Sequence, residues 1–193
     1  MGPVRQELRE ATQEIHDRLD RAALLRPLVE PTVTAEQYRT ALVALHGFHA
    51  PAEARMGGQG ERVALLRADL ADLGLDPDRL PVADELPALE AEPARLAARY
   101  VLDGSAHGGR AMLPNITRAL GFDAARGARF LASAGVDAQA QWKVLLARLE
   151  AEIATPEERA LARGTAVGLF AALERWLARL ERDPALYEGV PAR

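Results

Sequence analysis

Four histidines, a short run of glycines and a complete lack of cysteine set the chemistry open to this 193-residue chain. The histidines are His16, His46, His49 and His107. His16 lies on the flank of an apolar stripe made by Leu8, Ile15 and Leu19, and Asp20 follows it one helical turn later. A carboxylate at that spacing can accept the imidazole Nδ1–H. It then fixes the tautomer, makes the ring more electron-donating and leaves Nε2 facing inward as a metal ligand. The competing use of such a histidine is structural, as a polar group at the edge of a core. His46, His49 and Glu53 are spaced three and four apart, so one helix face holds all of them if Pro51 does not disturb it. A carboxylate-bridged di-iron site needs Glu-x-x-His pairs on two helices, whereas Glu14 and His16 are two apart and face different ways.

The second notable stretch is Tyr100 to Met112, YVLDGSAHGGRAM. It sits in a helical pattern yet holds Gly104, Gly108 and Gly109. Each costs roughly 1 kcal/mol against Ala in a helix interior. Gly104 and Gly108 share a face, with Gly109 beside them. Glycine there serves close approach of the backbone, either to a flat ligand or to a second helix at a tight crossing. Both uses fit the sequence. A membrane dimer motif does not, because no long apolar segment surrounds the glycines.

Composition narrows the classes. Without cysteine there are no disulfides, thiolate metal sites, iron–sulfur clusters or Cys nucleophiles. A net charge of −4 gives no reason to expect nucleic acid as a partner. With no signal-like segment and no spanning run, the expectation is a soluble, cytoplasmic protein that does not engage the membrane. The Ala, Leu, Arg and Glu bias favours helix. The first helix is expected from Pro3 to Leu25, ended by Pro27 and Pro31, and the second opens at Thr34 with a Gln37 capping box and runs until Pro51 bends or breaks it. Gly57, Gly58 and Gly60 read as a loop, and Arg62 to Leu73 as a third helix stopped by Gly74. A Pro-rich connection from Asp76 to Pro93 leads to the glycine-bearing helix, Ala94 to Leu113, closed by Pro114. Asp123 and Asp137 read as N-caps, with Gly135 between their helices, and Thr155-Pro156-Glu157-Glu158 starts a last helix to Arg182. The expected fold class is all-α, with about seven to eight helices in one domain over 1–193.

At the level of motifs the chain resembles a known family. Leu8 to His16, LREATQEIH, resembles the N-terminal helix of haem oxygenases, where a Lys/Arg-Glu-Ala-Thr stretch leads to the proximal haem ligand. Tyr100 to Met112 resembles their glycine-rich distal helix, and most of all that of the bacterial type found with bacteriophytochromes. Trp142-Lys143 with the Leu-rich helix after it, and the run from Thr165 to Phe170, also fit. The resemblance implies a single-domain multi-helical fold with haem sandwiched between the N-terminal proximal helix and the distal helix. It implies His16 as the ligand to haem iron and Asp20 as its acidic partner. It implies Gly104, Gly108 and Gly109 over the haem face, and Arg9 and Lys143 near the propionates. His49 falls where many members have a Tyr in a distal water network. Ser105 stands where many have a water-holding Asp; it is shorter and uncharged. His107 is unusual there. The implied activity is oxidative cleavage of haem at a meso carbon to biliverdin, CO and ferrous iron. Haem is both substrate and cofactor, O2 is consumed, and electrons come from an external reductase or ferredoxin. A bacteriophytochrome pathway would use the biliverdin. Three other classes remain open: a haem carrier or sensor on the same scaffold, a non-haem di-iron helical protein, and a helical interaction module without cofactor.

Overall fold

Helix is what the chain's composition favours, and helix is what forms. The computed structural model describes residues 2–57 and 60–187. Among the described residues seven α-helices span Pro3–Leu19 (α1), Ala35–Arg55 (α2), Glu61–Asp72 (α3), Glu92–Leu120 (α4), Arg129–Ala132 (α5), Ala138–Glu152 (α6) and Pro156–Arg182 (α7). Short 3₁₀ turns lie at Arg26–Val29, Pro77–Arg79 and Pro184–Leu186. No strand occurs among the described residues. None of these helices is long and apolar enough to cross a membrane.

The expected caps form. Thr34 with Gln37, and Thr155 with Glu158, each make a reciprocal capping box, and Asp137 Oδ1 accepts from Ala140 N at 2.9 Å. Asp123 is a correction: it caps no helix but accepts from the backbone N–H groups of Ala125 and Arg126 in a tight turn. The first helix is also shorter than expected. After Leu19 the bonds switch to i→i−3, Arg21 to Arg18 and Ala22 to Leu19, and the helix closes there rather than at Leu25. Gly58 lies outside the described residues.

Neither internal proline ends its helix. Pro51 lacks an N–H, which frees the Gly47 carbonyl. Ala83 N donates to that carbonyl at 2.8 Å, so α2 continues to Arg55. Pro114 frees the carbonyl of Arg110, an exposed residue, and α4 continues to Leu120, where Gly121 closes it at φ 73°.

Helix α7 supports the helices that matter most. Both α1 and α4 pack along it, and α6 packs on α4 and α1. One core joins Leu8 and Leu19 of α1, Leu102 of α4, Leu149 of α6 and Leu169 of α7. A second core joins Tyr38 and Leu42 of α2 to Leu66 of α3, Ile116 of α4 and Phe130 of α5. Helix α1 is pinned along its length. Glu150 of α6 accepts from Val4 N (3.2 Å) and Arg5 N (3.0 Å), which answers two orphan donors and places negative charge at the helix start. Glu7 pairs with Arg159 and Arg163, and Arg18 with Glu174 at 2.8 Å, all on α7.

Gly47 is a tight contact between α2 and α7. Trp176 Nε1 donates to Ala44 O at 2.9 Å and lays its ring on Gly47. A Cβ at Gly47 would lie 2.8 Å from Pro81 O and closer still to the indole. Gly47→Ala is therefore expected to destabilise the fold by about 1–3 kcal/mol through overpacking. Urea or thermal melts read this directly, and an unchanged midpoint would refute the packing assignment.

Candidate functional site

Helix α1 presents His16 at the surface. Its Nδ1 is 3.3 Å from Asp20 Oδ2, one turn on, and the side chains are 55% and 66% exposed. Nε2 is left free for another partner, on an imidazole that is open to solvent rather than turned into the core. The ring stands edge-on to Phe170 of α7, with centroids 5.9 Å apart. Asp17 joins His16 and Asp20 with ligand atoms within 4.8 Å of one another, and no other such trio of ligand groups occurs among the described residues. Towards its start, α1 carries Arg5 and Arg9. Their charges act on Tyr100 of α4, partly offsetting the burial that pushes its phenol upward. Arg9 also borders a surface hollow of about 220 Å³ with Gln6, Glu10 and Gln13. Lys143 is exposed on α6 and makes no ion pair among the described residues.

The three glycines of α4 differ. A Cβ on Gly104 would meet Trp142 at 3.6–3.8 Å, an ordinary contact, and one on Gly108 would meet only Met112 Cε at 3.9 Å. The fold requires glycine at neither. A Cβ on Gly109 would lie 3.2 Å from the backbone of Leu131, so this glycine lets α4 touch α5. The tight-crossing reading thus applies to Gly109, which is buried against α5. Tyr100, Gly104 and Gly108 share one face, and Trp142 of α6 lies over it. The indole stacks on Tyr100 (5.3 Å, 27°) and meets His107 edge-on (5.2 Å, 74°). His107 itself is exposed.

Behind Ser105 lies a buried polar group to which α2, α3, α4 and the residue after α5 contribute. Arg62 Nη2 donates to Ser105 Oγ and Nη1 to Ser133 Oγ, each at 3.2 Å, and the guanidinium sits 4.2 Å over the Phe130 ring. Ser105 Oγ donates to Leu102 O at 2.6 Å. Asp103 lies 3.9 Å from Arg99. Burial raises the Asp103 carboxyl pKa, and the charges of Arg99 and Arg62 oppose that rise. His49 Nδ1 is 3.6 Å from Glu53 Oε1, with both side chains almost fully buried. Burial pushes the His49 pKa down, against the pull of Glu53, so the ring is neutral at pH 7. The expected His49–Glu53 face therefore forms despite Pro51. His46 does not join it, and neither of its ring nitrogens has a partner. The sequence reading missed Arg62, Asp103 and Ser133. Nothing local marks Arg62 out from the chain's many surface arginines.

Two measurements follow from these environments. Gly108→Ala is expected to stabilise the ligand-free protein by about 0.4–1 kcal/mol, because the unfolded chain loses freedom and nothing is crowded. Gly109→Ala is expected to destabilise it by about 1–3 kcal/mol. Melts of the two variants should move in opposite directions; a shared direction would mean that the two glycines do the same job. His46 gives a pH effect. Burial, helped by the Arg67 and His49 charges and opposed by Asp78, lowers its pKa to about 4. The unfolded ring binds a proton near pH 6.5, so this residue's contribution is complete above that pH and is lost as pH falls towards 4, by roughly 3 kcal/mol. His46→Leu should remove that acid sensitivity. A stability difference between parent and variant that stays constant from pH 7 to pH 4 would refute this.

Set against known proteins, the chain matches no protein-family model and no curated protein. Among solved structures it is similar to the haem oxygenase of Neisseria meningitidis, whose structures were determined with NO and CO bound. The identity is 24%, the match covers 100% of this chain and 97% of that one, and the TM-score is 0.75. The architecture of this chain is therefore the all-α, multi-helical fold of the haem oxygenases.

Proposed function

We propose that the chain is a haem oxygenase that binds haem between α1 and α4, with His16 as the proximal ligand. The observation that carries this reading is the pair Gly104 and Gly108. They are glycines inside a long helix, each costing roughly 1 kcal/mol, at positions where the packing of the chain itself accommodates a methyl group. A flat ligand pressed on that face gives them a reason to exist. The other groups suit haem. His16 offers a free Nε2, with Asp20 placed to hold Nδ1 and raise ligand basicity. Arg9, with Arg5 beside it, supplies cations near Tyr100 that suit carboxylates, and Lys143 supplies another on α6. With no cysteine in the chain, the axial donor is an imidazole and not a thiolate.

Bound haem would supply the redox chemistry, its ring being opened by O2 and electrons to biliverdin, CO and iron. The chain's part is placement. Gly104 and Gly108 leave room for a small molecule on the distal face, and Ser105, held by Arg62, follows Gly104 with a side-chain hydroxyl. Arg9 and Lys143 fix the in-plane orientation of haem through its propionates. The electron donor is a separate reductase or ferredoxin, because the sequence has no nicotinamide or flavin fingerprint. The wording of Tyr100 to Met112 supports the bacteriophytochrome-associated type, in which the product feeds a bilin-using receptor. A carrier reading draws on Ser105, whose hydroxyl hydrogen is engaged by Leu102 O.

Haem titration followed by reductant and O2 separates these readings. A Soret band and conversion to biliverdin support the enzyme, a stable complex supports the carrier, and no band rejects both. In His16→Ala the fold should persist by circular dichroism while the axial imidazole signature and turnover disappear, with added imidazole restoring part. Asp20→Asn should cost less, within about tenfold. Turnover unchanged in His16→Ala without imidazole would remove the assignment.

A further inference from the structure

The Gly104 face has a charged wall behind it that haem binding alone does not explain. Arg62 is 5% exposed, and its guanidinium is held at both Nη atoms, by Ser133 and Ser105, and over the Phe130 ring. A buried cation persists only where carboxylates balance it. The groups facing this place are His49 and Glu53 from α2, Arg62 from α3, and Arg99 and Asp103 from α4, while α5 presents the phenyl ring of Phe130. Asp103 is the strongest negative charge acting on Arg62 and also lies 3.9 Å from Arg99, and Glu53 is the second carboxylate that Arg62 feels. Glu53 is 1% exposed, and neither of its carboxylate oxygens accepts a hydrogen bond from the chain. His49 Nδ1 and Arg62 Nε are likewise buried without a hydrogen-bond partner. These atoms of three neighbouring residues form a polar spot suited to bridging water. Gly60 leaves room for the Glu53 carboxylate, which a Cβ there would overlap, and so sets that carboxylate against the start of α3, two residues before Arg62.

Position 105 itself carries no charge. We propose that Glu53 is a positioning residue for the Gly104 face, supplying from behind Arg62 the negative charge that Ser105 lacks. Its carboxylate balances Arg62, Arg62 holds the Ser105 hydroxyl, and Ser105 adjoins Gly104. A ligand on that face then meets a serine oxygen already polarised by a fixed cation. This inference rests on the haem reading above.

The test compares Glu53→Gln, which keeps shape and removes charge, with Glu53→Asp, which keeps charge on a shorter stem. Two quantities are read on the full chain: the Arg62 Nε–H resonance in ¹⁵N-labelled protein without haem, and the midpoint of the acid–alkaline spectral transition of the ferric haem complex. Glu53→Gln should move the resonance towards that of a solvated arginine. It should lower the transition midpoint by about half a pH unit or more, because losing a buried negative charge favours the more negative form. Glu53→Asp should restore both in part, and haem affinity should stay close to the parent's throughout. If Glu53→Gln does not fold, Arg62→Gln takes its place and should raise the midpoint instead. A parent that binds haem, with variants that leave resonance and midpoint unchanged, overturns the role of Glu53 and spares the haem reading. A parent with no Soret band on titration removes the haem reading, and the role of Glu53 towards that ligand falls with it.

Discussion

The spacing between α1 and α4 is set by a third helix. Both lie along α7, whose apolar stripe, including Leu169, Leu173 and Leu177, runs through the larger core. Ion pairs from Glu7 and Arg18 then fix where α1 sits along that stripe. Individually such half-exposed pairs contribute little. Their value is in register: a helix held by burial alone can rotate or slide at small cost, whereas paired charges near both ends penalise each movement. The position of His16 relative to α4 is thus a property of α7 as much as of α1.

The two sides of the site have opposite electrostatic character. On the α1 side the groups are hydrated: His16 and Asp20 are more than half exposed, and water screens them. Behind α4 Arg62, Glu53 and His49 are buried, and they and the half-buried Asp103 act on one another with less screening. A change of one charge behind α4 is felt across the group. The same change on α1 is mostly absorbed by solvent.

Local features of the site were legible in the sequence and non-local ones were not. Thr34, Asp137 and Thr155 announce their helices because a cap and its target are three residues apart. The His16–Asp20 and His49–Glu53 pairs are visible for the same reason, being one turn apart on a helix. Pro51 misleads because the donor that repairs its helix, Ala83 N, comes from a connection some thirty residues on. Arg62 is invisible because Ser105, Ser133 and Phe130 reach it from distant segments. Gly109 and Gly108 are neighbours with the same propensity, and only the packing of α5 tells them apart.

The docking of α1 has a consequence for synthesis. Its partners Glu150, Arg159, Arg163 and Glu174 all lie in the last third of the chain, some 145 to 156 residues from the groups they hold. Contacts so distant in sequence close late, because the entropy of the intervening loop must be met before they form. On the ribosome, α1 emerges first and waits for α6 and α7 before its apolar stripe has a surface to cover it. The N-terminal helix is therefore the last to be secured, and a chain cut short before α7 would hold the helix that carries His16 only at its start, through α6.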